Sequence, residues 1–229
     1  LKDDKDVVLA AVTDYDGRVL QYSSEGLQND KDVVLAAVTQ RWKTFCFASK
    51  ELKNDKEMVL AAVRESGNGQ LLKYATKELK NDKDVVLTAL TKCGWALVWA
   101  SKRLQNDKEV VLAAVTQDGD ALRLASKKLK KNKEVLLAAV TQDAAALRHA
   151  SEELKNDKEV VLAAMTVDGR GFKYASERLK DDEEVMNDDD IEEDVEIGDL
   201  GDEMDDGWRG AMVTYQIGGL TRHPCLDKY

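Results

Sequence analysis

The chain predicts an all-α solenoid: seven helix-turn-helix repeats of about 25 residues, followed by an acidic, mostly irregular C-terminal extension. Three observations predict it. The anchors Asp4, Asp30, Asp55, Asp82, Asp107, Asn132, Asp157 and Asp182 recur every 25–27 residues. Each opens a version of one phrase, KEVVLAAVT, and each unit closes near ALxxASxxLKN. The shared phrase contains neither Gly nor Pro. Self-similarity at this period marks stacked units, none of which can bury its apolar face alone.

The unit at 106–131 justifies each element in turn. Asn106 or Asp107 can accept the unpaired amide hydrogens of a helix start, and Glu109 favours the positive end of the helix dipole. The run that follows predicts a first helix over about 107–117. Its Val110, Val111, Leu112, Ala114 and Val115 spread over most of the circumference, so this helix belongs to the inner layer. Asp118 and Gly119 should end it, with the glycine taking the left-handed conformation. Leu122, Ala125 and Leu129 then fall at i, i+3 and i+7, the face of a second helix running through DALRLASKKLK. Such short helices are marginal alone in water, so every unit depends on its neighbours. Fourteen short antiparallel helices are expected in all.

One column departs from simple core logic. The residue before the second-helix Ala or Ser is Tyr22, Phe47, Tyr74, Trp99, Leu124, His149 and Tyr174. Such a row is either a packed ladder between helices or a docking strip along one face. Copies folded under the same constraints agree where packing dictates the residue. They disagree most after the first helix, where Tyr15, Trp42, Trp95 and Arg170 stand and where loop length varies. Variable loops on one rim of a solenoid often carry recognition. Candidate partner-binding residues are therefore Tyr15, Trp42, Trp95, Trp99, Arg170 and Tyr174, joined by Trp208 and Tyr215 beyond the array.

Charge is segregated along the chain. Residues 181–207 hold sixteen Asp and Glu and no Lys or Arg, although the whole chain is only −10. The predicted organisation is a repeat array at 1–186, an acidic tail at 187–207 and a C-terminal extension at 208–229 in which Met212–Ile217 could add as a strand to a partner. Cys46, Cys93 and Cys225 are odd in number and share no metal-like spacing, which argues for a reducing compartment, cytoplasmic or organellar. No apolar run exceeds six residues, so no membrane-spanning helix is expected. Leu1 falls in the column of Leu27 and Leu52, so either a targeting peptide or further repeats are expected upstream.

No GxSxG elbow, P-loop or GxGxxG is present, and His149 and His223 are far apart, so neither catalysis, a cofactor, a metal nor a small-molecule substrate is expected. The acidic tail lacks the spacing of an EF-hand loop. Lys73, Arg123, Arg148 and Lys173 form a column beside the aromatic one, which keeps single-stranded RNA binding open as the alternative. Interleaved Asp and Glu, and an acidic run that would compete for any basic groove, weigh against it.

Through NDKEVVLAAV, DGxAL and ASxxLK, residues 1 to about 186 resemble the uncharacterised helical repeat family catalogued as domain of unknown function 4116. The resemblance implies helical repeats and transfers no active residue or cofactor. It also implies a source among algae, other protists or intracellular bacteria. Trp42 and Ala144 depart from the Gly column occupied by Gly17, Gly94, Gly119 and Gly169. The expected function is a non-catalytic interaction or scaffold protein, an accessory subunit of a larger, organellar assembly that includes peripheral association with a membrane complex.

Overall fold

A computed structural model describes residues 1–181, so Trp208, Tyr215 and most of the acidic and C-terminal extensions lie outside the described residues. Among the described residues every element is helical. Seven α-helices, Lys5–Asp14, Lys31–Gln40, Lys56–Ser66, Lys83–Leu90, Lys108–Val115, Lys133–Val140 and Lys158–Val167, stack one on the next as the inner layer. Each starts where the anchor column requires: the Asp107 carboxylate accepts from the Glu109 and Val110 amides, and Asn132 accepts from Val135.

The second half of each repeat is not the single helix that the i, i+3, i+7 spacing predicts. It is a six-residue 3-10 helix (Gly17–Tyr22, Trp42–Phe47, Gly69–Tyr74, Gly94–Trp99, Gly119–Leu124, Ala144–His149, Gly169–Tyr174), an extended alanine or serine, and one further helical turn. In the reference unit Ala125 is extended at ψ 156°, so the chain turns between Leu122 and Leu129. Fourteen α-helices is therefore corrected to a layer of α-helices, a layer of 3-10 helices and a row of single turns. A 3-10 helix rises about 2.0 Å per residue against 1.5 Å. Six residues thus span about 12 Å, close to the length of the eight-residue Lys108–Val115 beside them.

The glycines that open most 3-10 helices are not left-handed; among the described residues the one left-handed glycine is Gly67, at φ 62°, which ends Lys56–Ser66. They are needed for close approach. A Cβ on Gly17, Gly94 or Gly119 would stand 2.4, 2.5 and 2.4 Å from the carbonyl oxygens of Ala37, Ala114 and Ala139 in the next repeat, and one on Gly69 would stand 2.0 Å from that of Ala89. Backbone packs on backbone there. Where Ala144 breaks the column, the following repeat carries Gly171, whose missing Cβ would lie 3.0 Å from that of Ala144. Termination at the 3-10 start is achieved by the residue that precedes it: Asp16, Asn68, Asp118, Asp143 and Asp168 each accept the amide two residues on.

Two ladders stitch repeat to repeat. In the first, the ASxxL serine caps its own turn and donates its hydroxyl backwards, as Ser126 does to Asn106 at 2.6 Å and Ser101 to Asn81 at 2.6 Å. Ser49, Thr76 and Ser176 donate to Asn29, Asn54 and Asn156 in the same way. Lys131 replaces the asparagine once, and the Ser151 hydroxyl is left buried without a partner. Lys131→Asn should restore that bond and stabilise the array by about 1 kcal/mol, read as a rise in the urea midpoint. The exposed 3.8 Å Lys131–Glu153 pair that it removes offsets little of this.

The second ladder runs along the starts of the long helices. Lys5 meets Asp30 and Asp32, Lys31 meets Asp55, Lys56 meets Asp82 and Asp84, Lys83 meets Asp107 and Glu109, Lys108 meets Glu134, and Lys133 meets Asp157 and Glu159. Burial pushes the Asp30, Asp82, Asp107 and Asp157 carboxyls up, but the lysine and backbone-amide hydrogen bonds outweigh it and hold them below the usual carboxylate range. At Asp55 the Lys31 hydrogen bond leads, with the same result. Lys5 is pushed up to about 12 by its bonds to Asp30 and Asp32. A carboxyl with a depressed folded pKa contributes stability that is complete above its unfolded pKa of about 3.9 and is lost as pH falls through the folded value. Urea midpoints should thus hold steady from neutral pH to about 5 and drop below about 4, with a shallower drop in Asp107→Asn.

A third column finishes the backbone accounting. Lys53, Lys80 and Lys130 reach back to the carbonyls of Cys46, Lys73 and Arg123 at 2.7, 2.7 and 2.6 Å, and Gln105 bonds those of Leu97 and Ala100. These acceptors would otherwise be stranded where the 3-10 helix stops. Burial pushes the three lysines down, in keeping with the cost of desolvating an ammonium.

Candidate docking face

Residues i and i+3 of a 3-10 helix stand one above the other. Within Gly119–Leu124 this sets Gly119 and Leu122 into the core, Arg123 into solvent, Asp120 beside it half-exposed, and Leu124 half-buried at the rim. Repeated along the stack, the geometry gathers the variable positions on one outer strip. Trp42, Trp95, Trp99, Arg170 and Tyr174 all lie on it. Tyr15 stands apart at the end of the first long helix, 87% exposed.

The aromatic column is half-buried, both ladder and strip. Phe47, Tyr74, Trp99 and Tyr174 pack against the core and keep part of their surface open, while Tyr22 at the first repeat is exposed. Trp42 and Trp95 lean on the following repeat. The Trp42 ring lies 6.0 Å from that of Tyr74, and Arg123 covers the Trp95 ring at 4.4 Å. Trp99 carries an indole Nε1 that is buried without a hydrogen-bond partner.

Cations cover the rings. Lys73 lies 5.8 Å from the Tyr74 ring and 5.4 Å from that of Trp99, Lys173 lies 4.8 Å from that of Tyr174, and Lys43 lies 5.6 Å from that of Trp42. The seven 3-10 helices hold seven Arg and Lys against one Asp, and the residues capping them add one Arg and four Asp. Asp16 and Asp168 pair with Arg18 and Arg170 beside them. Asp120 collects Arg148, His149 and, at 3.9 Å, Arg123. Its burial pushes the carboxyl up, but the hydrogen bonds from Arg148 and His149 prevail and hold it low. That cluster was not anticipated from sequence; the signal was a lone Asp in a column whose other members are Arg18, Lys43, Gln70, Trp95, Ala145 and Arg170. At the C-terminal end of the strip, Arg148, Lys155, Lys173, Tyr174 and Lys180 line an open cleft together with Glu152 and Glu177.

Among the described residues no group of three His, Cys, Asp or Glu side chains is placed to hold a metal ion, and no helix is long and apolar enough to cross a membrane. The strip is a surface of rings beneath cations, its arginines paired with Asp16, Asp120 and Asp168 and its Lys73 and Lys173 lying over aromatic faces. A family model described as "Domain of unknown function (DUF4116)" matches residues 4–53, 42–80, 55–105, 82–130, 132–180 and 157–188. No curated protein and no solved structure matches the chain.

Proposed function

Because the chain belongs to the DUF4116 family of repeats, we propose that it is a non-catalytic interaction or scaffold protein, an accessory subunit whose docking surface is the 3-10 layer. The observation that carries this reading is the strip itself. Each repeat adds to it two or three side chains that the core does not dictate, while everything the core does dictate repeats almost unchanged. An organellar or cytoplasmic assembly, including one peripheral to a membrane complex, fits this reading.

The test is native isolation of the tagged chain. We expect partner proteins in fixed ratio, lost when Trp95 and Arg123 are both replaced by alanine while the circular dichroism spectrum is kept. Recovery of the chain by itself, or of the same partners in the same ratio with the double variant, would sink it.

The row of rings beneath cations also favours a second reading, sequence-tolerant binding of single-stranded RNA, since bases stack on aromatic faces and phosphates meet Lys and Arg. Salt-dependent affinity for an oligouridylate that falls at least about tenfold on replacing Arg123 and Arg148 would favour it over the first.

A further inference from the structure

We propose that the acidic segment of this same chain, residues 182–207, docks along the cation-and-ring strip of the 3-10 layer. The inference rests on reading that strip as a docking face. The column Gln21, Cys46, Lys73, Val98, Arg123, Arg148 and Lys173 holds four cations and no carboxylate. Lys73 and Lys173 lie over rings. A ring orients a cation but has no net charge to cancel it. The contrast with the lysines at the long-helix starts is sharp, since those sit on carboxylates of the next repeat. On the strip Asp120 engages Arg123 and Arg148, so the excess positive charge there falls on Lys73 and Lys173, which face rings rather than carboxylates.

The segment supplies what that column lacks. Residues 181–207 carry sixteen Asp and Glu and no Lys or Arg, interrupted by Ile191, Val195, Ile197, Leu200 and Met204. Carboxylates can meet the cations while these apolar side chains rest on the ring faces between them. Position and reach agree. The last described helix ends at Lys180, which itself lines the cleft shared with Arg148, Lys173 and Tyr174. From there back to Lys73 is four repeats, or about 40 Å at 8–10 Å per packed helix. Twenty-six residues extend to about 90 Å. Tethering puts the segment at an effective concentration of roughly millimolar, so an outside polyanion must displace it.

Zero-length carbodiimide cross-linking of the purified full chain tests this, because it joins only amines and carboxylates in contact. At low salt we expect Lys73 and Lys173 joined to carboxylates of 182–207. The yield should fall at least about tenfold in 1 M salt, where screening length shrinks to about 3 Å. Links within the long-helix ladder, such as Lys83 to Glu109, should appear in both conditions and report an intact fold. Mixing isotopically labelled and unlabelled chains separates the alternatives: links only between unlike chains mean docking on a second copy and overturn the proposal. So do links confined to exposed lysines off the strip, such as Lys127 and Lys128. A full-length variant with the segment's Asp and Glu changed to Asn and Gln should bind oligouridylate at least about tenfold tighter than the parent. Equal binding by both would show an uncovered strip and equally overturn it. Failure here leaves the scaffold reading standing if partners still co-purify through Trp95 and Arg123.

Discussion

Phe45→Ala should cost about 3–5 kcal/mol, the largest single-site loss available in this array, whereas Phe172→Ala should cost about 1–2 kcal/mol. The two phenylalanines occupy the same column, one in the second unit and one in the seventh. Phe45 is fully buried between repeats on both sides, and Phe172, in the last described unit, is only partly buried. A cavity beneath Phe45 has no side it can collapse from. In a stack of nearest neighbours the cost of a core truncation follows the number of interfaces it opens. Urea titrations of the two variants, followed by far-ultraviolet circular dichroism, read this directly. Equal midpoint shifts would mean that position in the stack does not matter and that the units are not coupled as described.

Gly119→Ala should cost about 2–3 kcal/mol although it adds a single methyl group, and Gly169→Ala should be neutral or slightly stabilising. The methyl group at 119 would stand 2.4 Å from the Ala139 carbonyl oxygen, 3.0 Å from the Asp143 amide nitrogen and 3.0 Å from the Asp143 Cβ. Backbone atoms of a capped helix end cannot swing aside as a flexible side chain does. Nothing lies within 4 Å of the corresponding position at Gly169, because no further described repeat stacks there, and its φ is not positive. Ala there only reduces the freedom of the unfolded chain. Thermal unfolding of both variants separates steric exclusion from turn conformation. If the glycines were needed for a left-handed turn, as the sequence alone suggests, both substitutions would cost alike.

The legible signals in the sequence are the local ones. Asp107 and its equivalents read correctly as helix caps because capping is a local event: one carboxylate and two amides within three residues. Gly119 carries the same kind of local signature, that of a helix terminator, and is instead a contact with a residue twenty positions on. Leu122, Ala125 and Leu129 fit an α-helical spacing, yet the chain breaks at Ala125. The telling signal is the serine or threonine that follows the alanine, or Ser23 in the first repeat, a cap column at Ser24, Ser49, Thr76, Ser101, Ser126, Ser151 and Ser176. Trp42 and Trp95 were legible as exceptions, but their resting places against Tyr74 and Arg123 depend on how far one repeat is rotated over the next.

What the sequence by itself determined was the period, the all-helical character, the start of each long helix and which columns are core, because each of these follows from composition within one unit or from its recurrence. Tertiary structure decided that the second layer is 3-10 rather than α, why glycine opens it, and that the variable residues share one strip. The physical reason is that these outcomes are set by distances between neighbouring units: a carbonyl 2.4 Å from a missing Cβ and a serine hydroxyl 2.6 Å from the previous repeat's asparagine exist only once two copies are stacked.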